Sequence, residues 1–212
     1  MDTNNFDLIA NSYFNNDIVM VFQNFSCLTG EEIGLLKMEE QKYIPGYKSK
    51  YFRDRYLQSR LTIKKIFSYL FREESASSID LTKSSDGRIM VNGRGDIFLS
   101  LSYSRNLISV SIARQKIGSD IEYIRPFFSE FLSRSPVYKS LESQYQIPET
   151  VRALGMWTLI EAISKYDDRS ISSLLNHPYD ISDIDIHMDI INQKFLFTLV
   201  AQSQKNEISP IS

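Results

Sequence analysis

Two stretches, Ile97–Ser104 and Leu107–Ala113, alternate in character and are separated only by Arg105-Asn106. A period of two is strand spacing, and so short a link joins two strands only by reversing the chain. The spacing predicts an antiparallel hairpin, which excludes a purely parallel sheet. A second pair has the same form. Ile184, Ile186, Met188 and Ile190 alternate with polar residues, Asn192-Gln193 follows, and Phe195–Ala201 is an apolar run.

The remaining pattern fits around these hairpins. Asp17–Phe25 reads as a buried strand, and Ile117–Tyr123 as another that Pro126 ends. Thr29 with Glu32 forms a capping box opening a short helix to about Met38. Lys50–Glu73 is a long helix, with Tyr56, Leu57, Leu61, Ile63, Phe67, Leu70 and Phe71 at helical spacing. Ala153–Lys165 is the second clear helix. Pro45 and Gly46 make Tyr43–Ser49 a loop. Ser75–Ser85 is a polar loop with one short strand or turn, and Phe127–Gln146 is helical or irregular. The order strand, helix, hairpin thus occurs twice, giving an α+β fold. We place one half over 1–112, a second over 113–202 and a polar tail over 203–212.

A chain of 212 residues can bury a substantial core. Its net charge of -2 argues against electrostatically driven nucleic-acid binding. One cysteine, Cys27, excludes an internal disulfide. Met1–Asn16 lacks the charged-then-apolar order of a signal peptide, and no apolar run approaches the ~20 residues of a membrane span. A cytoplasmic protein with no membrane partner is expected.

Four groups of residues could carry chemistry. In Gly118-Ser119-Asp120-Ile121-Glu122, two carboxylates two apart on a strand share a face and suit Mg²⁺, a hard cation that takes one or two carboxylates plus phosphate oxygens; alone, the pair equally reads as a solvated strand end. On the helix holding Trp157-Thr158-Leu159-Ile160-Glu161-Ala162-Ile163-Ser164-Lys165, Glu161 and Lys165 share a face four residues apart. They are either a surface ion pair or a metal ligand or base beside a phosphate clamp. Arg53, Arg60 and Lys64 lie within about 40° of one another at 100° per residue, inside the apolar arc. Charges so placed are paired, bind an anion, or snorkel to water at the stripe's edge. Leu101-Ser102-Tyr103-Ser104, preceded by Gly87-Arg88-Ile89, is placed at the hairpin turn, where amides and hydroxyls can hold phosphate or serve ordinary turn chemistry.

The order and spacing of these groups resemble the surfactin-type 4′-phosphopantetheinyl transferases. Those carry an arginine-rich helix, a G-K-P turn, an S-H-S hairpin, a G-x-D-x-E strand and a W-x-x-K-E-A/S-x-x-K helix. Here Asp54–Arg60, Gly87-Arg88-Ile89, Ser102-Tyr103-Ser104, Gly118–Glu122 and Trp157–Lys165 follow in that order, within roughly Leu35–Leu175. The resemblance implies a pseudo-dimer of two similar α+β halves, monomeric as a chain, with coenzyme A in the cleft between them. It implies that Asp120, Glu122 and Glu161 hold Mg²⁺, that Glu161 receives a proton, and that Lys165 clamps the pyrophosphate. Arg55, Arg60, Arg88, Ser102 and Tyr103 would grip the nucleotide. The implied reaction moves phosphopantetheine from coenzyme A to a serine of an apo acyl- or peptidyl-carrier protein, in fatty-acid, polyketide or nonribosomal-peptide synthesis. Three positions depart from the pattern: Tyr103 for histidine, Ile160 for lysine, and Tyr166-Asp167-Asp168-Arg169 for the glycines after the second lysine. A non-catalytic homologue that binds coenzyme A or a carrier is the first alternative. A Mg²⁺-dependent phosphohydrolase is the second.

Overall fold

The computed structural model describes residues 11–13, 18–26, 28–42, 44–71, 75–84, 88–127 and 129–203. Cys27, Gly87, the part beyond Phe71 of the span expected as a long helix, nearly all of Met1–Asn16 and the tail from 204 onward lie outside the described residues. The chain is a mixed α+β protein of small antiparallel sheets. It runs β1 (Asn11–Tyr13), β2 (Ile18–Asn24), α1 (Gly30–Gly34), α2 (Met38–Gln41), α3 (Lys50–Leu70), β3 (Leu81–Lys83) and β4 (Ile89–Val91). Then come β5 (Phe98–Ser104), β6 (Leu107–Ala113), β7 (Ile117–Tyr123), α4 (Glu130–Arg134) and α5 (Pro136–Gln144). The last elements are α6 (Arg152–Asp167), α7 (Ile171–Leu175), β8 (Ile184–Ile191) and β9 (Phe195–Gln202).

Both hairpins form. β5 and β6 pair from Phe98↔Ala113 to Ser104↔Leu107, and Arg105 turns the chain in the left-handed region at φ 49°. The sheet order is β1-β2-β6-β5; β3 and β4 pair separately, and β7-β9-β8 form the second sheet. β6 is buried along its whole length because it has a layer on each side. Ile108, Val110 and Ile112 pack with Ile63, Ile66 and Phe67 of α3. Leu107 and Ala113 pack instead with Ile117, Ile121, Phe197 and Leu199 of the second sheet. On the far side of that sheet Leu196 and Val200 meet Leu159 and Ile163 of α6.

The approach of α6 to β7 depends on Gly118. A β-carbon there would collide with the Ala162 carbonyl oxygen and the Tyr166 nitrogen. The helix that carries Glu161 and Lys165 therefore lies directly against the strand that carries Asp120 and Glu122.

Several boundaries differ from the sequence reading. The capping box is present, with the Glu32 amide donating to Thr29 Oγ1 at 3.2 Å and the Thr29 amide to Glu32 Oε2 at 3.0 Å. Its helix nevertheless stops at Gly34 and the chain restarts as α2, whose Glu40 turns inward. There Glu40 Oε2 meets Lys64 Nζ at 2.8 Å, and that ammonium also donates to the Ile79 carbonyl at 2.6 Å. Lys64 is wholly buried, so a charge inside the apolar arc is paired. Tyr43–Ser49, read as loop, contains one 3₁₀ turn at Ile44–Gly46. Among the described residues no helix is long and apolar enough to cross a membrane.

Candidate functional site

The site grows from an edge strand. β7 pairs with β9 on one side only, which leaves alternate amides of its other edge to find acceptors. Three serines of β5 provide them: the amides of Ser119, Ile121 and Tyr123 donate to Ser100 Oγ at 2.8 Å, Ser102 Oγ at 3.2 Å and Ser104 Oγ at 2.8 Å. The same hydroxyls reach the carboxylates. Ser102 Oγ donates to Asp120 Oδ1 at 2.6 Å, and Ser104 Oγ donates to Glu122 Oε2 at 3.0 Å. The Ser102-Tyr103-Ser104 segment was expected at the turn. It is instead the end of the strand, and its serines face β7.

α6 brings the other two groups. Lys165 and Glu161 do not form the surface pair that their spacing allowed. Lys165 Nζ lies 2.8 Å from Asp120 Oδ1 and 2.9 Å from the Ser119 carbonyl. Asp120 is 2% exposed; its Oδ1 thus has two donors, while its Oδ2 is buried without a hydrogen-bond partner. Burial pushes the Glu161 carboxyl up to about 8, with the Asp120 charge next in importance and Glu122 adding to it, against Lys165. Burial also raises Glu122, opposed by the bond from Ser104 and assisted by the charge of Asp120. The charge of Asp120 thus raises the proton affinity of both Glu122 and Glu161, which stand near it. These three are the residues here that could hold a metal. Among the described residues, however, no group of three or more His, Cys, Asp or Glu side chains is already gathered for that purpose.

Beside this cluster is a cavity of about 710 Å³ that contains Lys165 in its wall. Among the described residues its cations are Arg55, Arg60, Lys83, Arg88, Lys165 and Arg169, and its single acid is Asp168. Arg60 is 3% exposed, with Nε and Nη1 lacking any hydrogen-bond partner. A buried guanidinium with two nitrogens unpartnered favours an anion nearby. Arg55 is held differently: its guanidinium lies 4.1 Å over the Tyr103 ring and 5.4 Å over the Tyr51 ring, a cation–π arrangement. Arg88 pairs with Asp168 and donates to the carbonyls of Lys165 and Tyr166.

The structure thus brings Asp120, Glu161, Lys165 and Ser102 to one place with Glu122 beside them. It sets Arg55, Arg60, Arg88, Tyr103 and Lys165 around one cavity. Ser102 is buried outside the cavity wall, with its hydroxyl engaged by β7. Arg53 stays part-exposed beside Asp54, 3.4 Å away. Ile160 is fully buried in the core under α6, so the departure at that position concerns packing. Sequence reasoning missed Lys83, Asp168, Arg169, Ser100 and the accepting role of Ser104. The alternation Ser100, Ser102, Ser104 was a visible signal of a polar strand face. Compared with known proteins, the sequence matches no family model and no curated protein.

Proposed function

We propose that this chain is a 4′-phosphopantetheinyl transferase, with coenzyme A in the cavity between two similar α+β halves and an apo-carrier protein as acceptor. The observation that carries the reading is the link that Lys165 makes between a cation-lined cavity and the buried carboxylate of Asp120. Cations around a cavity suit a phosphorylated nucleotide. One feature of the donor set suits a metal: Asp120 Oδ2 is a buried carboxylate oxygen with no hydrogen-bond partner. Asp120, Glu122 and Glu161 would hold Mg²⁺, which when bound supplies charge neutralisation at the pyrophosphate.

The chain's own residues do the rest. Arg55 and Arg60 hold anionic groups of the nucleotide, and Lys165 steadies the pyrophosphate at the end of the cavity nearest Asp120. The carrier serine oxygen bonds to the β-phosphorus of coenzyme A. The bond to the leaving phosphate breaks, and adenosine 3′,5′-bisphosphate departs. Glu161, ionised for the step, accepts the serine proton directly or through water. Positioning and charge placement carry most of the work in such transfers.

The test is to weigh apo-carrier proteins of several types after incubation with the chain, coenzyme A and Mg²⁺. A gain of the phosphopantetheine mass that disappears with chelator and returns with Mg²⁺ is expected. No gain on any carrier ends the proposal. One observation favours a second reading, a homologue that binds without turnover: Arg88 is already engaged by Asp168. In that case coenzyme A binds and no carrier gains mass.

A further inference from the structure

We infer that Asp168 is a built-in counter-ion that competes with the ligand's phosphate for Arg88 and so sets the affinity of the cavity; this rests on the reading of that cavity as an anion site. Among the described residues of the wall Asp168 is the single acid, facing six cations. It follows α6 in the left-handed region at φ 58°, and its carboxylate pairs with Arg88, which enters from just before β4. The pair is open to exchange: the side chains are 42% exposed for Asp168 and 26% for Arg88. An exposed ion pair contributes little to stability. A negative charge in a wall that must accept another negative charge opposes binding directly.

Arg88 does not depend on Asp168 for its position. Its Nη2 also donates to the carbonyls of Lys165 and Tyr166, at the helix end where free carbonyls and the dipole attract a cation. Removing the carboxylate leaves the guanidinium held in the wall by those carbonyls. The resident acid thus makes binding weaker than the same cations would give without it, and Asp168 sets affinity without touching the reacting atoms.

Asp168→Asn is the sharp test, because asparagine keeps the size and suits the left-handed backbone while losing the charge. Asp168→Gly, which also suits φ 58°, is the second variant should the first fold poorly. Adenosine 3′,5′-bisphosphate is titrated by calorimetry into the unaltered chain, both variants and Arg60→Gln, at low and high salt. The expected result is tighter binding by about three- to tenfold in the Asp168 variants at low salt. The gain shrinks at high salt through screening, and Arg60→Gln binds more weakly. If the Asp168 variants bind equally or more weakly while Arg60→Gln is impaired, Asp168 is no competitor and the cavity reading stands. If the unaltered chain does not bind the probe, or Arg60→Gln binds as it does, the cavity reading and this inference fall together.

Discussion

A single carboxyl, Glu161, carries the most unusual ionisation in the site, with its titration raised to about 8 by burial and then by Asp120. A carboxyl whose folded value exceeds its unfolded value near 4.5 gives stability that is complete below the unfolded value. That stability is lost as pH rises through the folded one, because the folded state holds a proton the unfolded state has released. In chelator the melting temperature should therefore fall between about pH 5 and pH 8. Glu161→Gln should flatten the fall, and a slope unchanged in this variant would show the burial to be relieved in solution. In the carrier assay the same variant should lose ~10²-fold or more of turnover. Tyr103 shows how a side chain's surroundings can differ from what its sequence position suggests. By sequence it offers a hydroxyl where the resembling family has histidine. In the fold its ring lies between Phe25, stacked at 6.5 Å, and the Arg55 guanidinium at 4.1 Å. The ring face matters more than the hydroxyl, so Tyr103→Phe should keep most coenzyme A affinity and Tyr103→Leu should lose several-fold by freeing Arg55. Equal loss in both would return the role to the hydroxyl.

At the scale of elements, the serine ladder and Gly118 decide how strand and helix present the cluster. Ser102→Ala removes the acceptor for the Ile121 amide and a donor to Asp120 at once. A cost of about 1–3 kcal/mol in denaturant unfolding is expected. Gly118→Ala forces a β-carbon into the backbone of α6. The loss should reach the top of the ~1–3 kcal/mol range for overpacking, and a neutral result would mean that α6 can move away from β7. The long elements were legible because their periods are unambiguous: α3 and α6 lie within a few residues of the spans read from apolar spacing, and both hairpins follow from alternation. Short elements were not. β3 and β4 have three residues each, too few to show a period. Lys64 and Glu40 are distant in sequence, so their pairing depends on packing that no local pattern encodes. The carboxylates and cations of the site were legible as types at intervals. What remained hidden was direction: Lys165 turns to Asp120, and the serines turn to an edge strand and away from the turn.

For the whole molecule, the question is whether the two sheets behave as one body. Ile18, Met20 and Phe22 of β2 bury against Phe195, Phe197 and Leu199 of β9. Phe22 meets Phe197 edge-on, with ring centroids 4.9 Å apart. The same two sheets are tied at their edge by the serine bonds that hold Asp120 and Glu122. An apolar seam and a polar ladder along one boundary make separate unfolding of either sheet costly, since each would expose the other's inner face. Trp157, the single tryptophan, sits on α6 against Phe127 and reports on the second sheet's side alone. Far-ultraviolet circular dichroism reports on the entire chain. In urea both signals should change at one midpoint. Phe197→Ala, at a residue with no exposed surface, should lower that midpoint by an amount equivalent to ~3–5 kcal/mol in both signals equally. Tryptophan fluorescence changing at a different urea concentration from circular dichroism, in the unaltered chain or in the variant, would show two independent bodies. The cavity wall formed by residues from both sides would then have no fixed geometry with which to hold a ligand.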